Sequence, residues 1–542
     1  VTEVVEGWLA LDANPLNTEF GDTIVDIQSF ANDAGEVIYH VVHLAPHGIV
    51  VVSAEDRIEP IICFGAINSY DSDPANPLVA LVEADLNTRH QVAQKESKTS
   101  DEQTRQDLYF PQSDVSAPSW QACGLTPSQA RWKRLKERKR HRAGRNRQQE
   151  MSPKKRILSL DGTLLESYEG EEASQRDTPP DDVYVEPMLE TDWRQTTAYS
   201  FAFDGALLEK NCYNRFTPQN YPAGCVAIAM AQVMRYHNYP AQPSTNGYFP
   251  ITVDGVSDER KLRGGDGNGG PYQWSLMTNR PNYYTPKVNL EAIGSLCYDA
   301  GVSVDMDYTF DGSGTNTLDT AAALKEVFSY ASATPAYNGG RALGSALIGM
   351  INPSLDARRP VIIGIRDEGG HALVCDGYGY QGPTPYHHLN LGWWGEDKVW
   401  YNLPAINILK PNELTDLVYK CVYNINPQSN NPEDREIISG RVLDRNGRGR
   451  PQTRVSIDVD GDGESDDHDT TDTHGIFVFP NLKSNTSYTL WATSLPEDAH
   501  FEANVQPKQI QVTTGTSRDL SSSAGHVWGV NFSARQSAYV YV

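Results

Sequence analysis

Cys225 lies in the stretch YPAGCVAIAMAQVMRYHNYP, residues 221–240, directly after a glycine. Residues 226–237 favour helix, since Ala, Met and Gln dominate them, and Tyr239-Pro240 stops the run. A thiol at a helix N-terminus faces free N–H groups and the positive end of the helix dipole. Both lower its pKa and make the thiolate available. The competing reading is a buried core thiol, a common fate of a single cysteine. A thiolate nucleophile needs a base, and the base needs an orienting group. VIIGIRDEGGHALVCDGYG (361–379) offers His371, which opens a strand after a Gly-Gly turn. YHHLNLGWWG (386–395) places Asn390 at the end of another strand, beside Trp393 and Trp394. An Asn carbonyl can accept from one imidazole nitrogen and fix the tautomer; a Trp can shield that bond and stabilise imidazolium. Upstream, LETDWRQTTAY supplies Gln195, whose amide and the Cys225 N–H together could form an oxyanion hole. Gln219, six residues before Cys225, is the second candidate for that donor.

A second constellation is acidic. DVDGDGESDDHD (458–469) places Asp458, Asp460, Asp462, Glu464, Asp466 and Asp469 at positions 1, 3, 5, 7, 9 and 12 of a calcium loop, with Gly463 at the turn position 6. Without a cation these carboxylates repel one another, so Ca²⁺ in a structural role is expected; a solvated acidic hairpin is the alternative. Other polar residues take plainer readings. His237 packs or caps at a helix end. His387 and His388 point to opposite faces of a strand, so at most one lines a cleft. Asp305 and Asp307 either line a groove or form a turn beside Met306. Cys375 reads as core.

The elements that must carry these residues belong to a long chain. Its 542 residues exceed one ordinary domain. Hydrophobic residues make up 39%, enough for real cores, and no run is long and apolar enough to span a membrane. The net charge of −24 argues against a nucleic-acid binder. Seven scattered cysteines, with no CxxC, argue against a zinc ribbon or a dense disulfide framework. Residues 131–156 carry 13 Lys/Arg against two Glu, a charge of +11 that leaves the rest of the chain at −35. That run has three readings: a protease-sensitive linker, a basic arm on an acidic domain, or a nucleic-acid tail. Its polar flanks favour the linker. The chain opens at Val1 without an n-region/h-region pattern, read as a processed or trimmed secretory start.

Residues 37–57 read as two strands around a Pro-His-Gly turn, and 76–94 as a helix. Residues 424–436 have linker composition. From 437 onward, short alternating strands separated by turn residues suit a β-sandwich.

The order Gln, Cys, His, Asn resembles that of papain-like peptidases. AGCVAIAMAQVMRYHNYP, GVSVDMDYTFDGSG (301–314), GGHALVCDGY and HLNLGWWG resemble the motifs of the streptopain family, C10, of secreted bacterial cysteine peptidases. The resemblance covers 187–424, and GIVVVSAEDRIEPIICFG extends it to a propeptide in 1–90. It implies an α+β chain. The expected parts are an α+β inhibitory propeptide (1–93), a basic, flexible activation linker (94–186), a two-lobed papain-like catalytic domain (187–424) and an all-β sandwich (437–536). The sandwich itself resembles carboxypeptidase-regulatory or Cna-B-like modules. Residue by residue, the resemblance gives Cys225 as nucleophile, His371 as general base, Gln195 as oxyanion donor, Asn390 as His-orienting group and Trp393 as shield. Gln219 has the spacing of the papain glutamine. Leu391 stands where the family carries a first Trp. The implied function is a secreted endopeptidase zymogen acting on protein or peptide substrates. Its own propeptide inhibits it, and cleavage of the basic linker, by another protease or by itself, activates it. No cofactor is expected for catalysis. Two rival classes share these residues: an inactive adhesion protein, which thiol labelling separates, and a transglutaminase or amidase, which amine incorporation separates.

Overall fold

A computed structural model of the chain describes residues 1–73, 76–98, 126–137, 157–158, 164–165, 182–245, 247–337, 346–365, 370–382, 384–393, 398–403, 418–428, 435–444, 447–492, 509–515, 525–533 and 539–540. The chain divides into two compact units. The first holds residues 1–69, 112–182 and 380–384; the second holds 70–111, 183–379 and 385–542.

The first unit is built on helix α1 (Thr2–Leu9) and an antiparallel meander of β1 (Thr23–Ala31), β2 (Val37–Ala45), β3 (Ile49–Ser53) and β4 (Ile61–Gly65). The two strands expected around Pro46-His47-Gly48 are β2 and β3. Both β3 and β4 are buried along their length, and Trp8 of α1 meets Phe64 edge-on at 4.9 Å. Residues 127–137 fall within the expected flexible linker, yet they are helical. Trp132 and Leu135 lie three apart on one helix face and are both buried. The Trp132 indole donates to the Ile58 carbonyl at 2.9 Å, and the Leu135 backbone occupies the space a side chain on Gly7 would need. The start of the basic run is therefore docked on this unit, which corrects the expected linker boundary. Most of the remainder of 94–186 lies outside the described residues.

In chain order the second unit contains α2 (Pro77–Lys98), β5 (Asp182–Val185), the hairpin β6 (Thr197–Phe201) and β7 (Leu207–Asn211), α3 (Cys225–His237), α4 (Lys287–Val302), β8 (Ser332–Tyr337), α5 (Ala346–Asp356), β9 (Val361–Ile365), β10 (His371–Gln381), β11 (Thr384–Asn390), β12 (Lys398–Tyr401) and β13 (Val418–Asn426). The helix expected over 76–94 is α2, and it groups here rather than with residues 1–69. Asp85 of α2 accepts from the Tyr401 hydroxyl at 2.8 Å, and Arg89 donates to Asn402 at 2.9 Å. The central sheet runs β12-β11-β10-β9-β13-β8, and β5 also pairs with β10. Helices α3 and α4 share one core with its strands: Met230, Val233, Ile293 and Leu296 pack with Ala372, Val374 and Val422. The layout is mixed, with helices packed on a mostly antiparallel sheet.

The described residues from Glu436 onward are strands and the turns between them. They include β14 (Glu436–Leu443), β15 (Arg454–Asp458), β16 (Asp467–Thr470), β17 (Ile476–Leu482), β18 (Ser487–Ala492), β19 (Gln509–Thr513) and β20 (Val527–Ser533). Two sheets, β17-β14-β20 with the short strand Tyr539–Val540 and β16-β15-β18-β19, enclose a core of Val455, Ile457, Phe477, Tyr488, Leu490 and Val530. This module is fixed to α5 by buried polar groups. The Asp356 carboxylate accepts from the Tyr378 hydroxyl of β10 and from the Ser439 hydroxyl of β14, both at 2.7 Å. Burial pushes the Asp356 carboxyl up to about 7 despite those two donors.

Candidate active site

Gly224 precedes α3 with φ +89° and ψ 142°, backbone that a side chain strongly disfavours. A Cβ there would also lie 2.8 Å from the Met306 sulfur and 2.9 Å from the Ser313 carbonyl. The glycine therefore lets the chain turn tightly into the helix, and Cys225 becomes its first residue. No side chain caps this terminus. The thiol is half-buried, whereas the other described cysteines, Cys63, Cys212, Cys297, Cys375 and Cys421, are buried.

His371 opens β10 across from the helix terminus. The Ala372 N–H donates to Cys225 Sγ at 3.4 Å. Burial pushes the Cys225 thiol up, but the charge of His371, its hydrogen bond, and the amides of Ala372 and Val226 together outweigh it. The thiol is left below its ordinary value. The Nε2 atom of His371 lies 2.8 Å from the backbone carbonyl of Leu391. A carbonyl only accepts, so Nε2 carries the proton and Nδ1 is the nitrogen left for the thiol. Trp393 meets the imidazole edge-to-face at 6.1 Å between ring centroids. Trp394 lies outside the described residues.

Asn390 was expected to orient His371 with its side chain. The structure gives that contact to the next residue's carbonyl instead. The Asn390 amide is turned to α3 and the upstream segment: Nδ2 donates to the Thr191 carbonyl at 2.9 Å and to Gln232 Oε1 at 3.2 Å. Its Oδ1 accepts from Gln232 Nε2 and from the Gly392 N–H, each at 3.2 Å. The physical reason is the turn after β11: Gly392, at φ +64°, swings the Leu391 carbonyl toward the imidazole while Asn390 stays at the strand end, facing the core.

Gln195 is tied by its backbone to the segment leading into Cys225: its carbonyl accepts from the Ala223 N–H at 2.8 Å. Its amide makes no hydrogen bond among the described residues. Gln219 is not so placed. It is exposed, with φ +52°, and is held by Asp254 and the Tyr221 hydroxyl.

Residues 209–401 match the sequence profile of the peptidase C10 family. Over 206 residues the chain is 32% identical to streptopain of Streptococcus pyogenes serotype M1, covering 35% of this chain and 48% of that one. This segment belongs to the peptidase C10 family. The chain thus spans about half the length of that streptopain. It is also 31% identical, over 192 residues, to the thiol protease/hemagglutinin of Porphyromonas gingivalis, covering 35% of this chain and 21% of that one. A solved structure of a Prevotella intermedia prointerpain A fragment superposes with a TM-score of 0.45 and 17% identity, covering 74% of this chain and 99% of that one.

The structure also places the other singled-out residues of the C10 segment. His237 bonds to the Tyr330 hydroxyl at 3.2 Å at the end of α3, and burial pushes it down to about 4. His387 faces Asn352 at 2.8 Å, and burial pushes it down to about 4 as well. His388 pairs with the buried Asp376 at 2.6 Å. The two histidines do point to opposite faces, and both are structural. Asp305 and Asp307 are exposed in the turn that carries the buried Met306. Beyond the C10 segment, Asp458, Asp460 and Asp462 bring carboxylate oxygens within 4.8 Å of one another. Backbone amides donate to Asp458, Asp460, Asp462, Asp466 and Asp469 alike, and among the described residues only the first three bring their oxygens together, so not all six expected ligands are gathered. Glu464 is exposed.

Gln232 and Thr191 were not anticipated. The available signal was Gln232 itself, a polar residue inside the apolar run VAIAMAQVM, seven positions after Cys225 and so on the same helix face.

Proposed function

We propose that the chain is a secreted cysteine endopeptidase, made as a zymogen and activated by cleavage between about residues 95 and 186. The observation that carries this reading is the Cys225 thiol, held below its ordinary pKa at a helix N-terminus by His371. In the proposed cycle the Cys225 thiolate attacks the scissile carbonyl. The Gln195 amide and the Cys225 N–H hold the oxyanion, and the His371 imidazolium gives its proton to the leaving amine. Water, deprotonated by His371, then releases the acyl group and restores the thiol pair. Trp393 shields the His371–Leu391 bond from water. Substrates are proteins or peptides, and residues 1–93 are the intramolecular inhibitor. The C10 match supports a peptidase, and no described helix is long and apolar enough to cross a membrane.

The test is brief trypsin treatment followed by casein hydrolysis, with and without a cysteine-directed epoxide, beside Cys225→Ala. Epoxide-sensitive activity that appears only after nicking, and is absent from Cys225→Ala, is the expected result. Full activity with 95–186 intact would sink the zymogen part. No activity in any sample would sink the peptidase.

We further propose that the acidic loop binds Ca²⁺ in a structural role. Three converging carboxylates suit a hard cation whose remaining positions are filled by water or backbone oxygens. Asp458, Asp460 and Asp462 would hold it. Millimolar Ca²⁺ should raise the melting temperature of the chain over an EDTA-treated sample, and Asp460→Asn should reduce the difference. Equal melting curves with Ca²⁺ and EDTA would rule the site out.

A further inference from the structure

We infer that Gln232 is a positioning residue for the Cys225–His371 pair, acting through Asn390 and Thr191. This rests on the peptidase reading and adds to it a group that touches neither substrate nor thiol.

Three chain segments must be kept in register for the pair to work. They are α3, which carries Cys225; the turn after β11, which carries the Leu391 carbonyl; and the segment before β6, which carries Gln195. One face of α3 runs past all of them. Cys225 lies opposite His371. Ile228, three positions on, lies against Gly392, where an added Cβ would come within 3.2 Å of its side chain. Gln232, seven positions on, meets Asn390. The Gln232 and Asn390 amides form a reciprocal pair, each donating to the other at 3.2 Å. The Thr191 hydroxyl donates to Gln232 Oε1 at 2.8 Å, and the Thr191 carbonyl accepts from Asn390 at 2.9 Å. Asn390 Oδ1 then takes the Gly392 N–H, which fixes the turn that presents the Leu391 carbonyl.

Gln232 is 1% exposed, and Asn390 and Thr191 are 3% exposed. Apolar side chains would fill this space without the cost of burying amides. They would not fix direction, because dispersion contacts tolerate sliding and amide pairs do not. The consequence for the chemistry lies on His371. A carbonyl held against Nε2–H stabilises the imidazolium and keeps the ion pair intact to higher pH. If the turn loosens, that support weakens and His371 loses its proton at lower pH.

The test compares Gln232→Leu, close in volume, and Thr191→Val, which removes only the hydroxyl bond, with the unaltered full chain. The primary readout is the rate of Cys225 alkylation by iodoacetamide against pH, followed at the Cys225 peptide by mass spectrometry. The second is kcat and KM after nicking, normalised to titrated thiol. For Gln232→Leu, the upper titration step of alkylation should move down by about half to one pH unit. Its kcat should fall about 10- to 100-fold while KM changes by less than about threefold. Thr191→Val should move both in the same direction by less. Unmoved alkylation profiles in the folded variants, even with a lower melting temperature, would reduce the cluster to packing and overturn the inference. If Gln232→Leu does not fold, Thr191→Val decides. If the unaltered chain fails to hydrolyse any peptide, the peptidase reading falls, while the alkylation profiles still judge Gln232.

Discussion

His371→Ala should lower kcat/KM by about 10³- to 10⁴-fold and return Cys225 to a protonated thiol at neutral pH. The sign follows from the competing influences on the thiol. Burial raises its pKa; the charge of His371, its hydrogen bond and two backbone amides lower it, and the lowering side wins. Without the imidazole, burial is opposed only by the amides of Ala372 and Val226. The thiolate should then appear only at higher pH than in the unaltered chain. Stopped-flow alkylation of Cys225, followed against pH, should show its titration step displaced upward and its rate below that step slowed by roughly tenfold or more, following the lost thiolate fraction. An alkylation profile that did not move would mean that the helix terminus alone ionises Cys225, and that His371 serves only later in the cycle.

Gly224→Ala should be the most damaging single methyl in the chain's active region, costing roughly 2–4 kcal/mol of stability. Two penalties add. The residue sits at φ +89°, where an alanine is strained, and the new Cβ would fall 2.8 Å from both the sulfur and the methyl carbon of Met306. Met306 is fully buried, so it has little room to give way. Any relief must come from shifting the first turn of α3, which carries Cys225. Activity per folded molecule should therefore fall by tenfold or more, consistent with the sensitivity of catalysis to displacements of about 1 Å. Thermal unfolding and active-site titration on the same sample separate the two losses. A melting temperature and specific activity both within error of the unaltered chain would refute the close approach.

How much of this was legible in the sequence differs from residue to residue. The helix that begins at Cys225 could be read because its signals are local: a glycine, a helix-favouring run and a stopping proline. His371 could be read because the Gly-Gly pair before it marks the start of its strand in the sequence. Asn390 was legible as a member of the site but not in its contact. Residues 390 and 391 lie next to each other, and which of two neighbouring oxygens meets the imidazole depends on one positive φ at Gly392. Residues 127–137 were misassigned for a different reason. Their Lys and Arg dominate any composition average, while their structure rests on the pair Trp132 and Leu135, buried against a strand region some seventy residues earlier. The acidic loop shows the same limit. Six carboxylates fit a spacing rule, but among the described residues only Asp458, Asp460 and Asp462 bring their oxygens together.

Because the acceptor on His371 is a main-chain oxygen, side-chain replacement at 391 cannot delete it. A scan of amino acids there should report broad tolerance among residues that fill the buried space of Leu391, although the position supplies the oxygen that meets His371 Nε2. Sensitivity should appear one residue later, at Gly392, whose dihedral aims the oxygen, and two turns along α3 from Cys225, at Gln232. A family comparison that looks only for an invariant orienting side chain would pass over this arrangement. The function is stored in the path of the backbone, and drift in side-chain identity at 391 leaves it intact.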